Sequence, residues 1–265
     1  MLGKLIKYET KATARVFLPL YSVLLLFALI NRIIDLFRTI PDSNKMSFGK
    51  ILSGFILAVY IVLIIGTAIM TIVIMIQRFY KNLLGDEGYL MFTLPVETWK
   101  HIVSKLLIAI LWIVLSILAA LCSVIIISGI SMSELMDDFV NIIEIIKGQI
   151  GTVGLYLAPF YIFVMTVLVI ITIYAAIALG HLFPKHKLVT SFAMYAVIYF
   201  VNQLISVLYI MVFRNMFFKA LFTPALISPH TVQIIISALI VLEALLAVGY
   251  FVLTNIILSK KLNLE

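Results

Sequence analysis

The sequence predicts an all-α polytopic membrane protein, with six transmembrane helices in a single transmembrane domain. Three observations carry this. Apolar residues make up 64% of the chain and charged residues only 12%, against roughly half and a quarter in soluble domains. The mean hydropathy is +1.23, more apolar surface than a soluble fold of this length can hide. Finally, the apolar residues fall into six runs, each near the ~20 residues that a helix needs to cross a ~30 Å hydrocarbon core.

Residues 1–16 come first as an interfacial helix. Lys4, Lys7, Lys11 and Arg15 recur at spacings of 3, 4 and 4, which places them on one helical face, with Leu2, Leu5, Ile6 and Val16 on another. A basic amphipathic helix of this kind suits the inner headgroup region. The first span, 17–37, begins near Phe17 with Pro19 in its first turn. Its apolar part is short, so the helix continues through Arg32 and Asp35, which form an outer surface pair. Residues 38–50 read as a loop. The second span, 51–76, carries Gly54, Gly66, Thr67 and Thr71, small residues suited to close helix packing.

Between the second and third spans lies the one long polar interruption, 77–105. Arg78, Lys81, Asp86, Glu87, Glu97, Lys100 and Lys105 are charged, Gly85 and Gly88 bracket the acidic pair, and Pro95 breaks the segment. It reads as a short cytoplasmic helix-turn-helix that receives force from a partner. The third span is 106–127. Residues 131–147 are too charged to cross, but their apolar residues keep a helical period, and Ser131 and Glu134 have capping-box spacing. They predict an amphipathic helix on the membrane surface. The fourth span, 155–179, has Pro159 in its first turn. A polar turn, 180–187, leads to the fifth span, 188–212. Residues 214–230 are apolar but interrupted by Pro224 and Pro229, a broken segment before the sixth span, 232–258.

Charge sets the orientation. With the termini inside, twelve of the nineteen basic residues lie on the inner side and seven outside, so both termini are expected in the cytoplasm. The net charge of +7 is spread over span ends without a basic patch interleaved with aromatics, which argues against nucleic-acid binding. The lone Cys122 excludes a disulfide framework. No cleavable signal is expected after the first apolar run. His181 and His186 are five apart across Pro184, poor spacing for a metal, so no metal site is expected. The chain contains no GxxxxGK[ST], HExxH or GxSxG, and no enzymatic or catalytic residues are expected.

Within the spans, Glu243 is the single carboxylate read as lying deep in a helix, and Asn202 and Gln203 lie midway along the fifth span. Polar groups in such places mark pathways or hold helices together. Adjacent residues point in different directions on a helix, so at most one of Asn202 and Gln203 faces a given pathway.

The segment 78–105 resembles the ABC-2 type permeases, the membrane subunits of ATP-binding-cassette exporters. The resemblance rests on Arg78, Gly85, Asp86, Glu87, Leu90, Leu94, Pro95, Val96 and Lys105, and on the order of a basic N-terminal helix, six spans and a broken apolar segment before the last. It covers about 30 residues in motif and the whole chain in layout. Glu97 and Thr98 follow Pro-Val where that family often has Ser or Thr.

The resemblance implies that 85–94 is a coupling helix seated in a separate ABC ATPase subunit, which binds ATP and Mg in trans. Arg78, Gly85, Asp86, Glu87, Tyr89, Leu90, Phe92, Leu94, Pro95 and Lys105 would form the ATPase-coupling set. It further implies a second permease subunit, identical or related, in a bacterial cell membrane. Short outer loops favour a hydrophobic or amphipathic cargo, possibly a membrane-active peptide. Two other readings stand beside it: an ion-coupled carrier or channel using Glu243, and a non-transporting sensor or immunity subunit.

Overall fold

The computed structural model describes residues 2–37, 48–85, 88, 96–183, 185–216, 218 and 228–260, with side chains from 2–34 and from 54 onward within those ranges. Among the described residues the regular structure is helical. The helices are α1 (Leu2–Phe37), α2 (Phe48–Leu84), α3 (Thr98–Ser128), α4 (Met132–Gly180), α5 (Lys187–Val212) and α6 (Pro229–Lys260). All six are long and apolar enough to cross a membrane. The all-α polytopic class is thus what the structure has.

The chain divides into two compact units. The first comprises Met1–Arg78 and Val103–Leu135, the second Phe79–Ile102 and Met136–Glu265.

In the first unit, α1 buries Glu9, Thr13, Phe17, Tyr21, Leu24, Ala28 and Asn31, a stripe at spacings of 3 and 4. The stripe meets Tyr60 and Ile74 of α2 and Ile108 and Trp112 of α3. Lys4, Lys7, Lys11 and Arg15 lie on the exposed face, where their period puts them. The apolar set expected opposite them is not the buried face, since Val16 is 44% exposed while Glu9 is 7%.

Two expected boundaries move. Residues 2–16 are not a separate helix, because α1 runs unbroken through Pro19. Pro19 costs one backbone bond, to the carbonyl of Arg15, and both residues lie on the exposed side, so the buried stripe carries the helix through it. Similarly, Pro159 sits inside α4 rather than in a first turn. The break in α4 is instead at Gly151, with φ 73° and ψ 172°, a conformation that glycine alone adopts readily.

Residues 132–150 and 152–180 are therefore joined directly at that glycine. The carbonyl of Ile150, beside the break, accepts a bond from the Gln233 amide of α6 at 2.9 Å. The predicted cap is present: Glu134 accepts from the Ser131 backbone N–H at 2.9 Å and its own N–H reaches the Ser131 hydroxyl at 3.3 Å.

In the second unit, the C-terminal half of α4 is central. Ile170, Ile171, Thr172 and Tyr174 through Ala178 are buried on all sides. Ala175 and Ala176 pack with Ile198 of α5 and with Tyr250 and Leu253 of α6. Where Gly180 meets Ser191, the backbones approach so closely that a Cβ on Gly180 would lie 2.5 Å from Ser191 Cα. Small residues allow that approach. Ser228 precedes Pro229 at the start of α6, and its hydroxyl accepts from the Thr231 N–H at 3.3 Å, so the proline occupies the position where its missing N–H costs least.

Candidate functional site

The polar segment between α2 and α3 is the first candidate. Its ends are helical, because α2 continues to Leu84 and α3 begins at Thr98. Asp86, Glu87, Tyr89, Leu90, Phe92, Leu94 and Pro95 lie outside the described residues. So do most of the broken segment at 214–230 and the side chain of Asp35. Arg32 itself lies against Gly129, just past the end of α3, where a cation is favoured by the helix dipole.

The last turns of α2 are anchored in the second unit. Phe79, Asn82, Leu83 and Leu84 are buried. The Phe79 ring stacks on Tyr174 with centroids 3.9 Å apart and planes 8° from parallel. Tyr80 meets the His181 ring edge-on at 5.1 Å. Burial pushes the His181 imidazole below its ordinary pKa. The Gly85 N–H reaches back to the Tyr80 carbonyl at 2.9 Å, and the Gly88 N–H to the Gly85 carbonyl at 2.8 Å. A Cβ on Gly85 would lie 2.9 Å from the Lys81 carbonyl oxygen, so a side chain there would strain the turn.

At the start of α3, Glu97 bonds the Trp99 indole and the Lys100 ammonium, both at 2.8 Å. Chiefly the Lys100 hydrogen bond holds its carboxyl below the usual carboxylate range.

Lys105 is where the structure departs most from a surface charge. Its ammonium donates to Glu9 Oε1 at 2.7 Å, with side-chain exposures of 3% and 9%. This pair heads a ladder of bonds inside the first unit. Trp112 Nε1 donates to the Thr13 hydroxyl at 2.7 Å, and that hydroxyl donates to the Glu9 carbonyl. Thr71 donates to the Thr67 carbonyl and shares a bond with the Ser116 hydroxyl at 2.8 Å; Ser116 shares a second with the Tyr21 hydroxyl at 2.7 Å, and Tyr21 also reaches the Trp112 carbonyl at 3.3 Å. Tyr60 donates to Ser123, whose proton goes to the Ala120 carbonyl. Such interhelical bonds in membranes average about 0.6 kcal/mol each.

In the second unit, Asn202 and Gln203 diverge as adjacency requires. The Tyr250 hydroxyl donates to Asn202 Oδ1 at 2.5 Å, whereas Gln203 is exposed. Glu243 shares a hydrogen bond with Tyr161 of α4, and its Oε2 is buried without a partner. The sequence pointed to Asn202 and Glu243 but not to Tyr161 and Tyr250, since tyrosine is common in spans. Glu9 was equally hidden, a single acid in a lysine-rich helix. No protein-family model, curated protein or solved structure matches this chain.

Proposed function

We propose that the chain is the permease subunit of an ABC exporter in a bacterial cell membrane, with both termini cytoplasmic. One observation carries the reading. It is the run from Arg78 through Gly85-Asp86-Glu87 and Leu94-Pro95-Val96 to Lys105, set between two membrane-spanning helices. Residues 85–94 are the coupling helix, and an ABC ATPase subunit that binds ATP and Mg docks on it. Asp86 and Glu87 suit the positive end of a helix, while Tyr89, Leu90 and Phe92 supply the aromatic and apolar contact that anchors an interface.

The surroundings support that role. Before the segment, Phe79 and Tyr80 fasten the end of α2 to Tyr174 and His181. After it, Lys105 ties α3 to Glu9 of α1. A push on 85–94 is thereby passed to packed helices instead of being lost in a loose loop. Removing buried Lys105 from the charge count leaves eleven basic residues inside against seven outside, so the inner bias stands. Two such subunits, identical or related, enclose the pathway, and the cargo is hydrophobic or amphipathic, a membrane-active peptide being the leading case.

The test is a Glu87→Ala, Tyr89→Ala double variant in the complex with its ATPase. Transport should fall while the permease stays folded and the ATPase no longer responds to cargo. Coupling at the wild-type level would contradict the reading.

A further inference from the structure

The membrane part of the second unit contains an ionisable group that ATP-driven coupling does not use. Glu243 lies on α6 fourteen residues after Pro229 and seventeen before Lys260, about 21 and 26 Å along the axis. It is therefore near the middle of a helix that crosses the membrane. The spanning stretches 152–180, 188–212 and 231–259 contain no Lys, Arg or His, and Glu243 is their single acid. A carboxylate in such surroundings would carry a charge with no counter-charge on any of the three helices, an expensive arrangement in lipid.

Among the described residues the group shown against it is a tyrosine. Tyr161 of α4 shares a hydrogen bond with one carboxyl oxygen. Tyr209 of α5 is close enough to Tyr161 to interact with it electrostatically, but its hydroxyl donates to the Ile235 carbonyl at 2.6 Å. On α6 itself, Tyr250 is committed to Asn202. Among the described residues a single neutral donor thus serves Glu243, and Oε2 is buried with nothing to bond.

We propose that Glu243 and Tyr161 form a proton-binding site within the membrane part of the second unit. Glu243 holds the proton, and Tyr161 orients the carboxyl so that Oε2 is the oxygen left to exchange it. Protonation removes the uncompensated charge and keeps the Tyr161 bond. Release of the proton requires water or a cationic group to reach Oε2, which makes the site responsive to whatever opens that face of α6. The site does not depend on the exporter reading and is tested separately from it.

The probe is dicyclohexylcarbodiimide, which is apolar and reacts with protonated carboxyls in lipid. The acid proton passes to a carbodiimide nitrogen, and the carboxyl oxygen bonds the central carbon. The adduct then rearranges to an N-acylurea, with no atom lost. The full chain in lipid nanodiscs is labelled over a pH series and the adducts are mapped by mass spectrometry. The proposal expects Glu243 to label ahead of the surface acids Glu97 and Glu134, with a rate falling about tenfold per pH unit above a midpoint.

Tyr161→Phe should keep the labelling and move that midpoint to higher pH, because it removes a donor to the charged form. A merely structural bond would leave the midpoint in place. No adduct on Glu243 in the wild-type chain, a pH-independent rate, or an unmoved midpoint in Tyr161→Phe would overturn the site. Because the wild-type profile needs no variant, the outcome does not rest on how well a mutant folds.

Discussion

Lys105 and Glu9 are 96 residues apart in the chain, yet the lysine ammonium lies 2.7 Å from the glutamate carboxylate and the pair is almost wholly buried. The pair joins the helix that opens the chain to the helix that follows the polar segment. Each residue satisfies the other's charge where water does not, and this sets what a substitution does there.

Removing one partner takes the opposite charge away from a buried ion. Lys105→Met or Glu9→Leu should each destabilise the first unit by about 3–5 kcal/mol, and the double variant should recover most of the loss, since an apolar pair needs no counter-charge. Thermal unfolding in detergent, followed by the fluorescence of Trp112 beside the pair, measures both. A double variant as unstable as the sum of the singles would show that the pair is not a unit.

Gly180 offers a purely steric prediction. A Cβ there would approach the Cα and N of Ser191, each at 2.5 Å, and not only the movable hydroxyl. Gly180→Ala should therefore lower stability by about 1–3 kcal/mol. Adding Ser191→Gly should not restore it, because the obstructing atoms are backbone. Rescue by the second change would point to the hydroxyl alone.

His181 gives the pH dependence. Its folded-state pKa is depressed, mainly by burial against the end of α4 and also by Lys187. The unfolded chain, near 6.5, then binds the proton first. Stability from this site is complete above about pH 6.5 and falls as pH drops through that value toward the folded pKa. Melting temperature should fall on acidification in the wild-type chain, and His181→Phe should flatten that slope while keeping the edge contact with Tyr80. An equal slope in both would remove His181 from the account.

The sequence made the six spans legible because lipid imposes a long apolar run on every crossing, and a run is a local property. The Ser131–Glu134 cap was legible for the same reason, since both partners lie within four residues. The continuity of α1 was not. A proline after a basic amphipathic stretch ordinarily marks a boundary, and only the buried stripe from Glu9 to Asn31 shows why the helix passes through it. Glu9 with Lys105, Trp112 with Thr13, and Tyr161 with Glu243 were invisible because each pair is made between helices far apart in sequence. Lys105 read as one more charge at a span end until its partner was placed.

The most direct test of the exporter reading is what purifies with the chain. A tagged chain is extracted gently from native membranes beside a control in which residues 85–94 are scrambled, and the accompanying proteins are identified. The account predicts a nucleotide-binding ATPase with the native chain and none with the control, the control remaining folded by thermal unfolding. A folded native chain that brings down no ATPase, or a scrambled chain that retains it, would contradict docking on that segment.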